Sequence, residues 1–300
     1  MHPDDQDDRR DAASPPGSDE HGPENHPPSP GVPGPEQPEP SLGLLERVNN
    51  YLLLVFACAC LLMNYSFSGI LYVKGLIPLS LSLPGIFAII VPLYFLSQRS
   101  ALGFGVEFSL ARPHPGTLAL ILVISAAAIL PIEAFAAVFE RLWPPNADYT
   151  SFILSIKPKG LSSLVYTAIG VVLVAAFAEE MLFRGFIQKI FQRNMNGALA
   201  VVLAGFIFSL SHFNPPAIPA VAALGILFGF IFYLTGNLWY SITAHAVYNL
   251  VTLIRLYLAS DEEIASSNVA MPTRTWTFVS LAILLVSLWI LIRVRRPARQ

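Results

Sequence analysis

Three short groups of polar residues interrupt long hydrophobic stretches in the second half of the chain. The first holds Glu179 and Glu180, the second ends at His212, and the third begins at His245. An ionised group in hydrocarbon costs roughly 3 kcal/mol even on lenient scales, so membrane helices keep such residues mainly where they have a function. Carboxylates and imidazoles are also the groups that most often move protons in catalysis. The three groups are therefore candidates for one catalytic site inside a membrane.

Within the first group, the spacing separates two roles. Glu180 and Arg184 are four residues apart, so on a helix they share a face and can form an ion pair that satisfies both charges. Glu179 points about 100 degrees away from that face. A carboxylate left over in an apolar wall is suited to accept a proton from water and to return it later. The other interpretation is that the whole cluster only braces helix packing.

The second and third groups supply an imidazole each and one carboxamide. His245 and Asn249 are four residues apart, so both can project from one helix face into the same cavity. An imidazole and a carboxamide together can orient a substrate carbonyl and stabilise its oxyanion. Taken alone, His212 is also explained as a polar cap at a helix end. The pair His245 and Asn249, taken alone, is also explained as an interhelical hydrogen-bond pair.

The composition indicates the elements that position these groups. Of the 300 residues, 54% are hydrophobic and 13% are charged, and the mean hydropathy is +0.57, which excludes an ordinary soluble domain. We predict an all-α polytopic membrane protein with about eight transmembrane helices around a polar intramembrane catalytic cavity. The predicted spans are Tyr51 to Val73, Leu79 to Leu96, Thr117 to Phe139, Ser163 to Gln188, Gly197 to His212, Pro215 to Leu234, Asn237 to Leu258 and Trp276 to Ile292.

Charge and proline content divide the chain into four predicted segments. Residues 1–42 contain 10 of the 20 acidic residues and 11 of the 25 prolines, which predicts a disordered cytoplasmic tail. Residues 43–162 hold N-terminal transmembrane helices, and 163–258 hold the polar groups. Residues 259–300 add the last helix and a basic end. The density of cations at that end predicts a cytoplasmic C-terminus, and eight spans then place both termini in the cytoplasm. The compact chain with short loops favours a plasma (inner) membrane.

The predicted partners follow from the same features. Outside the tail, 16 basic residues stand against 10 acidic ones, which suits an anionic lipid surface. No phosphate-binding glycine loop or nucleic-acid surface is evident. We expect membrane lipids and a membrane-associated peptide or protein substrate as partners, and no nucleic acid. The sequence does not indicate an oligomeric state.

Taken in series, the three groups resemble the CPBP family of intramembrane proteases, which includes the type II CAAX prenyl endopeptidases and abortive-infection proteins. The family pattern Glu-Glu-x-x-x-Arg, Phe-x-x-x-His and His-x-x-x-Asn stands here as 179–184, 208–212 and 245–249. The resemblance implies peptide-bond hydrolysis. It assigns water activation to Glu179 with His212, and a supporting role to Glu180 and Arg184. It assigns oxyanion stabilisation to His245 with Asn249.

The resemblance leaves metal dependence open. A glutamate and two histidines (Glu179, His212 and His245) are a donor set that can hold Zn²⁺ with a free coordination position. The same groups also support a metal-free mechanism. The zincin motif, with two histidines four residues apart around a glutamate, is absent, so we prefer the metal-free mechanism.

Two other classes of function use the same residues. A proton-coupled transporter could pass protons along Glu179, Glu180 and His212, although no pattern repeats between the two halves of the chain. A membrane scaffold or immunity protein could keep the protease fold and act by binding a partner. The sequence does not assign Glu133, in the third span. Its side chain either faces the cavity or lies near the outer interface as a solvated residue.

Overall fold

The computed structural model describes residues 43–144, 147–265 and 271–294, and within these ranges the chain is helical without any strand. This confirms the all-α prediction, whereas the predicted tail over residues 1–42 lies outside the described residues. The eight long or apolar helices are labelled α1 (Asn50–Val73), α2 (Ile77–Ser97), α3 (Pro115–Leu142), α4 (Leu161–Asn194), α5 (Gly197–Leu210), α6 (Pro215–Thr235), α7 (Leu238–Leu258) and α8 (Arg274–Val294). Shorter helices span Leu44–Arg47, Phe104–Glu107, Ala147–Ile156 and Asp261–Ala265.

Each of the eight predicted spans is a helix, but the helices differ in their capacity to cross a bilayer. Six helices of the described chain are long and apolar enough to do so: α1, α2, α3, α4, α6 and α8. Helix α5 has 14 residues and is about 21 Å long, short of the hydrocarbon thickness. Helix α7 has 21 residues and carries the polar residues of the third group, which reduce its hydropathy.

The length of α4 corrects one expectation from the sequence. The predicted span ended at Gln188, six residues before the helix itself ends. The helix continues to Asn194, so Glu179 lies about 22 Å from its end, and α5 runs back about 20 Å from Gly197. The end of α5 is thereby brought to the level of the glutamate pair.

Local sequence signals explain how the helices around the site begin and end. The side chains of Asn196 and Asn237 cap α5 and α7 by accepting backbone N–H bonds at 2.8 and 2.9 Å, as N-cap residues do. Gly236 ends α6 with a φ of 60°, a left-handed conformation that glycine adopts without strain. Helices α6 and α7 are therefore joined by a two-residue turn.

Helices α5 and α6 approach each other closely because both carry glycine at the contact. A Cβ atom on Gly205 would lie 2.7 Å from the backbone nitrogen of Ile226, and one on Gly225 would lie 2.7 Å from the Gly205 carbonyl oxygen. Small residues permit this approach of two membrane helices. The contact fixes the position of α5, whose end leads into His212.

Polar contacts at the helix ends show which ends lie side by side. Asn50 at the start of α1 donates to Asn194 at the end of α4, at 3.0 Å. Lys157, after helix Ala147–Ile156, donates to Asp261 beyond α7 at 2.6 Å, and this ammonium holds the pKa of the Asp261 carboxyl below its usual value. These pairings agree with helices that cross a membrane alternately.

Candidate active site

Two π-helical segments flank the glutamate pair in α4. The helix is π over Ile169–Ala175, α over Ala176–Leu182, and π again over Phe183–Gln188. A π segment has more residues per turn than an α-helix and rotates the side chains on either side of it, and such segments are frequent at functional sites. In α4 they set the directions in which Glu179 and Arg184 project.

Glu180 and Arg184 form the ion pair that their spacing predicts, in the interior of the helices. Arg184 Nη1 donates to Glu180 Oε1 at 2.8 Å, and both side chains are 0% exposed. Arg184 Nη2 donates to the Gly225 carbonyl of α6 at 2.8 Å. The guanidinium carbon also lies 4.5 Å from the ring centroid of Phe208, a favourable cation–π contact. The arginine therefore joins α4 to both α5 and α6.

His245 of α7 faces both glutamates. Its Nδ1 lies 2.9 Å from Glu180 Oε1 and its Nε2 lies 3.9 Å from Glu179 Oε2, and the ring stacks on Phe228 at 5.0 Å. Because Arg184 keeps Glu180 as an accepting carboxylate, the proton of the neutral imidazole is on Nδ1. The Nε2 atom, beside Glu179, is then free to accept a proton.

Phe208 is the residue around which the three motifs meet. Its ring contacts Phe183 from the first motif at 5.0 Å, His212 from its own motif at 4.8 Å and His245 from the third at 5.7 Å, each edge to face. These are favourable distances for aromatic pairs. The sequence indicated Phe208 only as part of a pattern, and the structure shows what it packs against.

His212 lies just beyond the end of α5 and is exposed. Its Nδ1 is 2.8 Å from the Phe208 carbonyl oxygen, and since a carbonyl only accepts, this nitrogen carries the proton. The Nε2 atom of the neutral ring is therefore an acceptor. Because the residue is exposed, water has access to its side chain.

Asn249 is held by α4 rather than pointing freely into a cavity. Its Nδ2 donates to the Val171 carbonyl at 2.8 Å, a carbonyl in the first π segment. An amide nitrogen has two hydrogens, so one remains for a second acceptor. Asn249 and His245 thus share a helix face as predicted, and the asparagine also anchors α7 to α4.

Gln188 was not predicted as a site residue, and it extends the line of polar side chains in α4. Its Nε2 donates to the Gly229 carbonyl at 3.0 Å, and the side chain is fully buried. Among the described residues, Gln188 Oε1, Arg184 Nε and Glu180 Oε2 are buried without a hydrogen-bond partner. The signal was present in the sequence, because 180, 184 and 188 are spaced by four.

Glu133, unassigned from the sequence, pairs with Arg255 of α7. The side chain of Glu133 is 18% exposed and that of Arg255 is 60% exposed. The carboxylate is therefore engaged at the contact between α3 and α7. Among the described residues, its ion-pair partner is Arg255 and not a residue of the three motifs.

The three residues suggested for zinc do not fit a metal site in this arrangement. In the part of the chain that the structure describes, no group of three His, Cys, Asp or Glu side chains is placed to hold a metal ion. The Nδ1 atoms of His245 and His212 are engaged by Glu180 and by a carbonyl, which leaves Nε2 of each ring as a possible ligand atom. It is therefore the placement of the three side chains, and not their chemistry, that does not fit a metal site. The mechanism proposed below contains no step through a metal.

Comparison with known proteins agrees with the motifs. Residues 161–251 match the family described as type II CAAX prenyl endopeptidase Rce1-like. Neither a search of curated proteins nor a search of solved structures returned a match. The matched segment contains all three motifs, and the family is a family of proteases. Residues 161–251 of this multi-pass membrane protein are thus an Rce1-like domain, and the family resemblance indicated by the motifs is confirmed over that segment.

Proposed function

We propose that the chain is an intramembrane endopeptidase that hydrolyses a peptide bond of a membrane-associated protein or peptide, with Glu179 as the base. One observation carries this proposal: Glu179 is the partly exposed carboxylate of the pair, with 29% of its side chain accessible, and it lies 3.9 Å from His245 Nε2. Its neighbour Glu180 is fully buried and engaged. Water and substrate therefore have access to the carboxylate that is free to exchange a proton.

Water activation is assigned to Glu179 together with His212. The Glu179 carboxylate removes a proton from the water, and the oxygen of that water attacks the carbonyl carbon of the scissile peptide bond. The accepting Nε2 of His212 takes the second hydrogen of the same water as a hydrogen bond and so orients its lone pair. The exposure of His212 supports this role.

Stabilisation of the oxyanion is assigned to His245 and Asn249. His245 Nδ1 is used by Glu180, so the ring donates through Nε2 only when it also carries a proton there. The second hydrogen of the Asn249 amide is the other donor, and donors fixed in advance stabilise developing charge most effectively.

The reaction is completed by the proton that Glu179 holds. As the tetrahedral intermediate collapses, the carbon–nitrogen bond breaks and the leaving amine takes this proton, which restores the carboxylate. Glu180 and Arg184 do not exchange protons in this scheme. They keep His245 and Phe208 in place through the contacts described above.

The substrate and the orientation of the protein are part of the proposal. The family match supports a CAAX-type substrate, and the membrane-embedded position of the site favours a peptide that a lipid anchor delivers to the bilayer. The basic residues at the C-terminal end of the sequence and those near Asn194 favour a cytoplasmic location for both termini. The compact chain with short loops favours a plasma membrane. Anionic lipids would then contact those cations.

The test is cleavage of a quenched fluorescent peptide with a prenylated CAAX end, beside the same peptide without the lipid. We expect purified wild-type protein to cleave the prenylated peptide and Glu179→Ala to lose at least about a hundredfold in rate, since the base is removed. A strong zinc chelator should leave the wild-type rate unchanged. Retained cleavage by Glu179→Ala would overturn the assignment of the base.

A matched control is Glu133→Gln, which alters another carboxylate of a membrane helix. Because Glu133 pairs with Arg255 and not with a motif residue, this variant should cleave within about twofold of wild type. Cleavage of only the non-prenylated peptide would keep the protease and reject the lipid-anchored substrate. Loss of cleavage with the chelator would bring a metal back into the mechanism.

A further inference from the structure

The turn that carries His212 is held by a side chain from α1, far away in the sequence. The hydroxyl of Tyr65 donates a hydrogen bond to the carbonyl of Ser211, the residue immediately before the histidine. Ser211 is the C-cap of α5, and carbonyls in the last turn of a helix have no partner within the helix. Tyr65 supplies that partner from outside the matched segment 161–251.

A second contact of Tyr65 falls on the other side of His212. The tyrosine ring packs edge to face against Phe213, with ring centroids 5.1 Å apart. Phe213 has a φ of 49°, a left-handed conformation that is strained for a bulky residue and persists only where the surroundings hold it. Tyr65 therefore contacts the residue before and the residue after His212.

This turn depends on such contacts because little else covers it. His212 and Phe213 are both exposed. Within α5 the histidine ring is held by the bond between Nδ1 and the Phe208 carbonyl and by its contact with the Phe208 ring, and the backbone N–H groups of the turn donate to Ser209 and Leu210. Tyr65 adds contacts from another helix.

We propose that Tyr65 is a positioning residue that holds the backbone on either side of His212, so that the first hydrophobic helix completes the site of the Rce1-like domain. The role of His212 in this inference rests on the proposed function. The two contacts of Tyr65 on either side of His212, here called the tether, do not rest on the proposed function. They concern the placement of an imidazole, whatever reaction follows.

The experiment compares Tyr65→Phe with Tyr72→Phe. Both variants remove one hydroxyl from α1, but the Tyr72 hydroxyl contacts Ser155 at 3.0 Å and not the site. On the prenylated peptide, we expect Tyr65→Phe to lower kcat on the order of tenfold with KM nearly unchanged, because small misplacements of a catalytic group are costly. Tyr72→Phe should leave both constants at wild-type values.

A second readout is independent of activity. In protein labelled with ¹³C at histidine, the ring signal of His212 is assigned with a His212→Gln variant and followed through a pH titration. Tyr65→Phe should shift or broaden this signal and move its titration midpoint, whereas Tyr72→Phe should not. A general loss of stability would affect the signals of the other histidines as well, and not the His212 signal alone.

The outcomes separate the two proposals. If wild-type protein cleaves no peptide but the His212 signal changes in Tyr65→Phe, the proposed function fails and the tether stands. If Tyr65→Phe keeps the wild-type kcat and the wild-type His212 signal, the tether is rejected and the proposed function is unaffected. Equal loss of kcat in Tyr65→Phe and Tyr72→Phe would also reject the tether.

Discussion

His245 Nδ1 lies 2.9 Å from Glu180 Oε1, the oxygen that also accepts the 2.8 Å bond from Arg184. One carboxylate oxygen thus holds the imidazole of α7 and the guanidinium of α4 together. The arrangement fixes the tautomer of His245 and directs its other nitrogen towards Glu179. The two adjacent glutamates consequently have different tasks, one as an anchor and the other as the exposed group.

This division predicts that the two glutamates differ in their effect on stability. Glu180→Ala leaves Arg184 buried without its anion, which should lower the free energy of unfolding by about 3 to 5 kcal/mol. Glu179→Ala removes a partly exposed group and should cost less than about 1 kcal/mol. Unfolding by SDS in mixed micelles measures both. Equal losses would show that the glutamates share the anchoring role.

A double variant tests whether the cost of Glu180→Ala comes from the unpaired charge. Arg184→Met removes the charge and keeps much of the side-chain length. If the buried cation is the cause, the double variant Glu180→Ala with Arg184→Met should lose less free energy of unfolding than the two single losses combined. Strict additivity would attribute the cost to lost packing instead.

The contact between α5 and α6 predicts a sharp difference between two glycines. Gly225→Ala places a methyl group 2.7 Å from the Gly205 carbonyl oxygen, and backbone cannot yield cheaply, so we expect a loss of about 1 to 3 kcal/mol. Gly69→Ala in α1 has nothing within 4 Å of the new methyl and should be neutral or slightly stabilising. The same SDS titration measures both variants.

The two variants should also differ in activity. Since α5 leads into His212, separation of α5 from α6 displaces this histidine, and Gly225→Ala should lower kcat for the cleaved peptide. Gly69→Ala serves as the control and should retain the wild-type kcat. A Gly225→Ala protein with normal stability would mean that the two helices move apart without cost.

Gln188 and Gly229 predict a suppressor relationship. A methyl group on Gly229 would lie 2.7 Å from Gln188 Oε1, so Gly229→Ala should destabilise the protein by about 1 to 3 kcal/mol. The atom in the way belongs to a side chain, and Gln188→Ala removes it. The double variant should therefore be more stable than the sum of the single losses predicts. No coupling in the SDS titration would show that the glutamine moves aside freely.

The sequence contained the parts of this site that depend on local spacing. Hydrophobic runs indicated the helices, and four-residue intervals indicated that Glu180 meets Arg184. The partners supplied by other helices left no such signal. Arg184 donates to a carbonyl 41 residues away, and Tyr65 reaches one 146 residues away. Backbone carbonyls are the same in every residue, so only packing determines which one is used.

The depth of the helices shows the same limit. The end of α4 was predicted at Gln188, because Lys189 begins a polar stretch. The helix instead continues to Asn194, where Asn50 of α1 meets it. Hydropathy indicates where a helix leaves hydrocarbon, but not where its hydrogen bonding ends.

Asn249 provides a final prediction that separates anchoring from catalysis. Asn249→Asp keeps the size of the side chain but places an acceptor opposite the Val171 carbonyl, where the amide now donates at 2.8 Å. We expect the free energy of unfolding to fall by about 1 to 3 kcal/mol and kcat to fall about a hundredfold through loss of the oxyanion donor. Quantifying the folded fraction in each assay distinguishes the two effects. If the asparagine only anchors α7, each folded molecule of Asn249→Asp will cleave the peptide at the wild-type rate, and its amide will have no part in the reaction.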